Sequence, residues 1–361
     1  MFVDTTLQKT ALILFILMST VGIMYIGASV LIPITFASLI AIFLYPLDKK
    51  ILNIVNNKVL SICISFQLVL LPIAVMIYLF YIQLSSIVDS LPAISKNLKS
   101  GLGKIINTIS DKIPLIDISK ESLLHPEPIN NVAEPLGILG QGFMLTSSTL
   151  LAFALTTIYT FLILYYRRSI KNFIVYQFEA NVRPDIRETL TQIKEIVQSY
   201  LGGLGIVVLF LSLVNSLGLW IIGIEYPFFW GTLAGLLAVI PYVGTGLGGL
   251  LPFLYALATY EHSWQPIAVI GFYAVIQFLE GNIITPKIVG DKVDINPLFA
   301  IICVIILSSI WGIAGTILAL PLFGIFRIIL TQFDSTKPLA ALMSSTIDEK
   351  VGKFKKLAEQ K

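Results

Sequence analysis

Residues 10–47 read TALILFILMSTVGIMYIGASVLIPITFASLIAIFLYPL, 38 positions without one Asp, Glu, Lys or Arg. The hydrocarbon of a bilayer is about 30 Å thick and is crossed by about 20 predominantly apolar helical residues. As a single helix this stretch would be about 57 Å long at roughly 1.5 Å per residue, nearly twice what one crossing needs. Gly27, Ser29 and Pro33 lie near its middle, so the expected structure is a tight hairpin of two spans.

Charge-free blocks recur outward from this one, over residues 59–88, 135–166, 196–224, 226–260, 262–279 and 295–326. Composition agrees with them. Hydrophobic residues make up 56% of the 361 and charged residues 12%, and mean hydropathy is +0.89. A soluble domain carries about 25% charge, so this chain has too few polar groups to cover a surface in water. The expected fold is an all-α, polytopic integral membrane protein with about eight spans. The first apolar run is too long for a secretory signal, with only Lys9 before it and no small-residue cleavage site after it. It is expected to be a retained first span.

Two blocks, 226–260 and 295–326, are again too long for one crossing at 35 and 32 residues, and both are interrupted. Pro241, Gly244, Gly246, Gly248 and Gly249 break the first; Gly312, Gly315 and Pro321 break the second. Backbone at membrane depth must satisfy its hydrogen bonds internally, and breaks there are tolerated where protein or a watery cavity surrounds them. Interrupted helices of this kind line substrate sites in transporters. The alternative is two short spans joined by a turn.

The chain then divides as follows. Residues 1–88 hold the N-terminal hairpin and a third span, and residues 89–134 an extracytoplasmic amphipathic helical region. Residues 135–166 form a span, 167–199 a cytoplasmic helical segment, 200–330 a C-terminal transport core with interrupted or re-entrant helices, and 331–361 a basic cytoplasmic tail. Three basic clusters set the orientation: Lys49, Lys50 and Lys58; Arg167, Arg168, Lys171, Arg183, Arg187 and Lys194; and Arg327, Lys337, Lys350, Lys353, Lys355, Lys356 and Lys361. The positive-inside rule puts all three in the cytoplasm, with both termini. Ile87, Leu91, Ile94, Leu98, Leu102, Ile105, Ile109 and Ile113 repeat at helical spacing, with breaks expected at Pro92, Gly101 and Gly103. This face lies on the membrane, between subunits, or on its own chain. Pro184 and Asp185 mark the expected start of the cytoplasmic helix.

Several chemistries are excluded or left without residues to carry them. Gly103–Lys104 lacks the earlier glycine of a phosphate-binding loop, GxSxG is absent, and His125 and His262 are in no zinc-ligand setting. Cys63 and Cys303 lie singly in apolar runs, which argues against a disulfide framework or a metal site. A net charge of +3 with no dense basic face argues against nucleic acid. No enzyme activity, cofactor or metal is expected. The partners expected are the lipid bilayer and a small polar solute or ion.

Between residues 196 and 285 the only charged side chains are Glu225, Glu261 and Glu280. The first two sit beside turn residues. Glu280 ends an apolar helix and opens Glu280–Gly281–Asn282–Ile283–Ile284–Thr285–Pro286–Lys287. A charge at the bilayer centre costs about 2.5–3.5 kcal/mol on insertion scales and usually serves a path or a partner. Measured from Ser263, however, Glu280 lies about 26 Å along the helix, near the far interface, where hydration is available. Both readings stand on the residues alone.

The run Gln277–Phe278–Leu279–Glu280–Gly281–Asn282–Ile283–Ile284–Thr285–Pro286–Lys287–Ile288–Val289–Gly290 resembles the signature of the autoinducer-2 exporter family of bacterial permeases. So do Ile240–Pro241–Tyr242–Val243–Gly244, Asn296–Pro297–Leu298 and Gly312–Ile313–Ala314–Gly315. The likeness is specific over residues 200–330 and hydropathic before them. It implies a secondary transporter of the bacterial inner membrane that forms homo-oligomers. Members are associated with export of a furanone-type quorum signal or with sodium–proton antiport. It also implies a path at Glu280 with Gln277, Asn282, Thr285 and Pro286, and at the break formed by Pro241, Tyr242, Gly244 and Gly246, with Gly312 and Gly315 in the second interrupted segment. Thr245 stands where the family commonly has a proline, which leaves the tight turn there less determined.

Overall fold

The computed structural model describes residues 5–112, 147–239, 243–260, 264–284 and 294–346. Among them the regular elements are helical: α1 (Thr5–Ile26), α2 (Ala28–Val55), α3 (Lys58–Lys112), α4 (Ser147–Tyr176), α5 (Arg183–Ile222), α6 (Pro227–Leu237), α7 (Val243–Thr259), α8 (Trp264–Leu279) continued by a π turn (Glu280–Ile284), α9 (Pro297–Thr331) and α10 (Lys337–Met343). Helical stretches in α2, α3, α4, α5 and α8 are long and apolar enough to cross a membrane, as is α9 when counted through its kink at Gly312, and only 11–28% of each apolar window is buried within the protein. Ile221, Trp220, Leu209 and Phe153 point outward. Helices that turn most of their apolar surface away from the protein are solvated by lipid. The chain is a polytopic, all-helical integral membrane protein.

The helices form two compact units, and α3 and α5 supply residues to both. The first unit draws on Met1–Gln67, Ser147–Gly202 and Gly290–Lys361. Here α2 packs along α4, and α9 meets α1, α2 and α10. Its core is apolar, with Leu39, Val197, Cys303, Leu307, Trp311, Leu318 and Ala319, and the Trp311 indole N–H donates to the Met24 carbonyl at 2.9 Å.

Charges inside this unit are paired. Asp48, fully buried on α2, forms an ion pair with Arg167 of α4. The Ser61 hydroxyl lies 2.5 Å from the Asp48 carboxylate and 2.8 Å from its carbonyl. Around this pair Lys58 lies over the Tyr165 ring, while Arg167 and Lys194 lie over that of Tyr45. Members of the first two basic clusters therefore converge at one place, although more than a hundred residues separate them. A second network closes α9 on itself. Asp294 forms an ion pair with Arg327 and accepts from the Ser344 and Ser345 hydroxyls at 2.8 and 2.6 Å. Asn296 caps α9 through the Phe299 N–H at 3.0 Å and donates to the Leu342 carbonyl at 2.7 Å.

Several boundaries differ from those expected. The tight reversal within residues 10–47 is a bend instead. Gly27 alone separates α1 from α2, its N–H donating to Ile23 and its carbonyl accepting from Val30 and Leu31. The hydrogen-bond ladder is handed across it, while Pro33 sits inside α2. Likewise α3 runs unbroken through Pro92, Gly101 and Gly103. An interior proline costs about 3 kcal/mol or more and a glycine about 1 kcal/mol, yet α3 stays helical through all three. α5 begins at Arg183, with Asp185 in its first turn as expected, and passes residue 200 without a break. Within residues 331–346, Ala340 and Met343 pack against Leu330, Phe299 and Phe323.

Removing one member of a buried ion pair leaves the other charge unpaired, at about 3–5 kcal/mol. Arg167→Leu is therefore expected to lower thermal stability in detergent sharply, and Asp48→Leu/Arg167→Leu to recover much of the loss. Equal melting temperatures for the single and double variants would refute the pairing account.

Candidate functional site: a polar cleft in the second unit

The second unit draws on Leu68–Thr146 and Gly203–Val289. Its floor is a close helix crossing. A Cβ on Gly231 would stand 2.3 Å from Ser216, and one on Gly235 would stand 2.1 Å from the Ser212 hydroxyl. The Gly-xxx-Gly face of α6 therefore lies directly on the Ser-xxx-Ser face of α5, the small-residue packing that brings helix backbones together in lipid. The adjoining core is aromatic. Phe80 stacks on Phe229 at 4.5 Å between ring centres, and Trp230 contacts Phe229 and Tyr255. Gln83 of α3 accepts from the Phe229 N–H at 2.7 Å, which satisfies a first-turn donor of α6.

α6 and α7 pack against each other as two arms rather than forming one continuous helix. α6 has 11 residues and α7 has 17; at about 1.5 Å per residue α6 is about 16 Å long, half a bilayer. Along a straight helix, positions seven apart are about 10 Å distant. Here a Cβ on Gly244 would lie 1.7 Å from the Leu237 carbonyl oxygen, so the chain has reversed between them and only glycine fits. The second interrupted segment, in the other unit, has the same construction. Gly312 takes φ 59° and ψ −137°, a region open essentially to glycine alone. A Cβ on Gly315 would lie 1.9 Å from the Leu307 carbonyl oxygen. α9 is thus two arms folded at Gly312. In both segments the break is a turn between two packed arms.

α8 closes the second unit against α5 and α7 through two glycine notches. Phe272 occupies the space beside Gly218, where a Cβ would stand 2.2 Å from the ring, and Tyr273 lies against Gly249, where a Cβ would stand 2.9 Å away. At its C-terminal end α8 widens into the π turn Glu280–Ile284, and the Asn282 amide folds back to donate to the Phe278 carbonyl at 2.8 Å. Single π turns are rare and concentrate at functional sites.

These elements border a narrow cleft lined by Leu211 and Asn215 of α5, Ala234 of α6, Ala238, Gly248 of α7, Tyr273, Ile276 and Gln277 of α8, and Glu280. Its internal volume is about 10 Å³, near the roughly 10–15 Å³ that one water needs. Asn215 is only 3% exposed. Neither its Oδ1 nor the Tyr273 hydroxyl has a hydrogen-bond partner among the described residues. An unmade bond to such a buried group costs about 1–3 kcal/mol.

Of the residues singled out from sequence, Gln277 and Glu280 meet in this cleft. Gly244 is buried at the hairpin turn. Gly246 is exposed with open space around it, and Asn282 is exposed. Gly312 and Gly315 belong to the first unit, and Pro241, Tyr242, Thr285 and Pro286 lie outside the described residues. Asn215 and Tyr273 were not anticipated. Asn215 had a signal, as the one asparagine of the charge-free block 196–224. Tyr273 had none, because a tyrosine in an apolar helix is ordinary.

A model of the family described as AI-2E family transporter matches residues 13–335. The AI-2 transport protein TqsA of Escherichia coli (strain K12) is 22% identical over 322 residues, covering 88% of this chain and 90% of that protein. YhhT of the same organism, provisionally named a transport protein, is 21% identical over 320 residues and 88% of each chain. YrrI of Bacillus subtilis (strain 168), also provisionally named for transport, is 28% identical over 144 residues, a match that spans 40% of the length of either chain.

The glycine notches make a graded prediction. Gly244→Ala and Gly315→Ala drive a methyl into a backbone carbonyl and are expected to lower folded yield and melting temperature strongly. Gly246→Ala meets nothing within 4 Å and should be nearly silent. Size-exclusion profiles and thermal melts in detergent measure the difference.

Proposed function

Because this chain belongs to the AI-2E family of transporters, we propose that it is a secondary permease exporting a small polar solute, with the coupling carboxylate at Glu280. The observation that carries this reading is the cleft. In a bundle solvated by lipid, Glu280 and Gln277 line the same cleft as Asn215 and Tyr273, whereas the buried Asp48 is neutralised by Arg167. A carboxylate at such a place binds a proton or a sodium ion, or accepts from a solute hydroxyl, and polar groups inside a membrane protein mark pathways. The solute class is supported by TqsA, named for AI-2, and by the uncharged polar residues that line the cleft with Glu280.

A cleft no larger than a water does not admit such a solute, so the conformation described is a closed one. Loading requires α8 or the α6–α7 hairpin to move. The convergence of Lys58, Arg167 and Lys194 around Tyr45 and Tyr165 supports a cytoplasmic position for that end of the first unit and, with it, cytoplasmic termini in a bacterial inner membrane. The outward apolar faces suit assembly as a homo-oligomer as well as contact with lipid.

The test is flux of AI-2 from proteoliposomes, with and without imposed proton and sodium gradients. Glu280→Gln is isosteric and is expected to reduce gradient-driven flux at least about tenfold, the effect of roughly 1.4 kcal/mol, without changing the elution profile. Undiminished flux in that variant would remove Glu280 from the mechanism. Wild-type flux indifferent to both gradients would replace the coupled permease with a passive channel.

A further inference from the structure

Transport by the cleft needs groups that recognise a solute as well as one that couples to an ion. Glu280 lines it near the end of α8, whereas Asn215 and Tyr273 line it from α5 and from a point two turns earlier on α8. Both present a polar atom that the protein does not satisfy among its described residues. Other polar groups of this unit are matched, among them Gln83, which accepts from Phe229 at 2.7 Å, and the Tyr255 hydroxyl, which donates to Glu225 at 2.9 Å. Ser212, Trp230, Thr259 and Gln265 also carry unmatched atoms, but none of them lines the cleft; Asn215 and Tyr273 are the two that share one space with Glu280.

The placement of Tyr273 is built in. Its ring lies against Gly249, where a Cβ would stand 2.9 Å from Cγ, and its neighbour Phe272 is seated beside Gly218 on α5. Two glycines on two helices thus admit two consecutive aromatic residues of α8 and fix the rotation of that helix. Gly248, beside Gly249, lets α7 approach Ala234 of α6, where a Cβ would stand 3.0 Å away, and it lines the cleft as well.

The chemistry of the pair is specific. Asn215 Oδ1 only accepts, and a tyrosine hydroxyl donates and accepts. An alcohol group between them can donate to the first while accepting from the second. An anion is disfavoured by the Glu280 carboxylate lining the same space, and a purely apolar solute leaves both atoms unmatched. We infer that Asn215 and Tyr273 form the recognition subsite for a hydroxyl group of a neutral solute; this rests on the transport reading above. Discrimination is strong in such a site, because a solute lacking the hydroxyl leaves buried polar groups unpaired.

A residue kept for binding at the expense of the closed protein has a signature that a structural residue lacks. Removing its unmatched polar atom stabilises the protein while ending the function. Asn215→Leu and Tyr273→Phe are of similar size to the residues they replace. Both are expected to melt in detergent at or above wild type, Asn215→Leu by about 2–4 °C. In proteoliposomes both are expected to carry AI-2 at least about tenfold more slowly at limiting concentration.

A melting temperature below wild type in both variants would assign these atoms to structure and overturn the inference. So would wild-type flux in both, even with Glu280→Gln inactive, and in that case the transport reading survives. Wild-type vesicles that carry no AI-2 would bring down the transport reading, and this inference with it.

Discussion

Hydrocarbon accepts no hydrogen bonds, and every feature of this protein answers to that. Peptide groups at membrane depth must find partners within the chain. The helices are therefore long, up to 55 residues in α3, and interruptions are confined to places where the ladder is handed on or the two arms cover each other. Gly27 hands it on. The π turn at Glu280–Ile284 widens it at the end of α8. At Gly244 and Gly315 the chain folds back so closely that a single methyl would strike a carbonyl oxygen.

The same constraint separates two kinds of polar cluster. In the first unit charged groups are neutralised and hydrogen-bonded: Asp48 by Arg167 and Ser61, Asp294 by Arg327, Ser344 and Ser345. Such networks hold helices in place. In the second unit the cleft gathers Asn215, Tyr273, Gln277 and Glu280 with two atoms unmatched among the described residues. In a medium where unsatisfied polar atoms are expensive, two of them lining one cleft with Glu280 mark that cleft as the candidate site.

Close packing at glycine does a second task beyond permitting turns. Gly231 and Gly235 bring α6 down on Ser216 and Ser212, and Gly218 and Gly249 seat Phe272 and Tyr273. With no hydrophobic force between helices in lipid, association rests on contact of this kind. The cleft is therefore positioned by absent side chains as much as by present ones, and its smallness follows from the same close approach.

Membrane residence, helical class and the approximate extent of the apolar segments were determined by the sequence alone, because the absence of charge over tens of residues is a one-dimensional property that solvent reads directly. Glu280 and the glycine breaks were visible for the same reason, as exceptions in an apolar background. Whether a glycine bends a helix or reverses it was not visible. Gly27 and Gly312 look alike in sequence, and only the packing of the flanking arms made one a bend and the other a turn. Pro92 could not be told from a helix end, since the gain from a long continuous helix outweighs one missing hydrogen bond. Asn215 and Tyr273, 58 positions apart, became one site only in the tertiary structure. Which polar atoms remain unmatched depends on what lies across from them, and a linear chain does not carry that information in any local pattern.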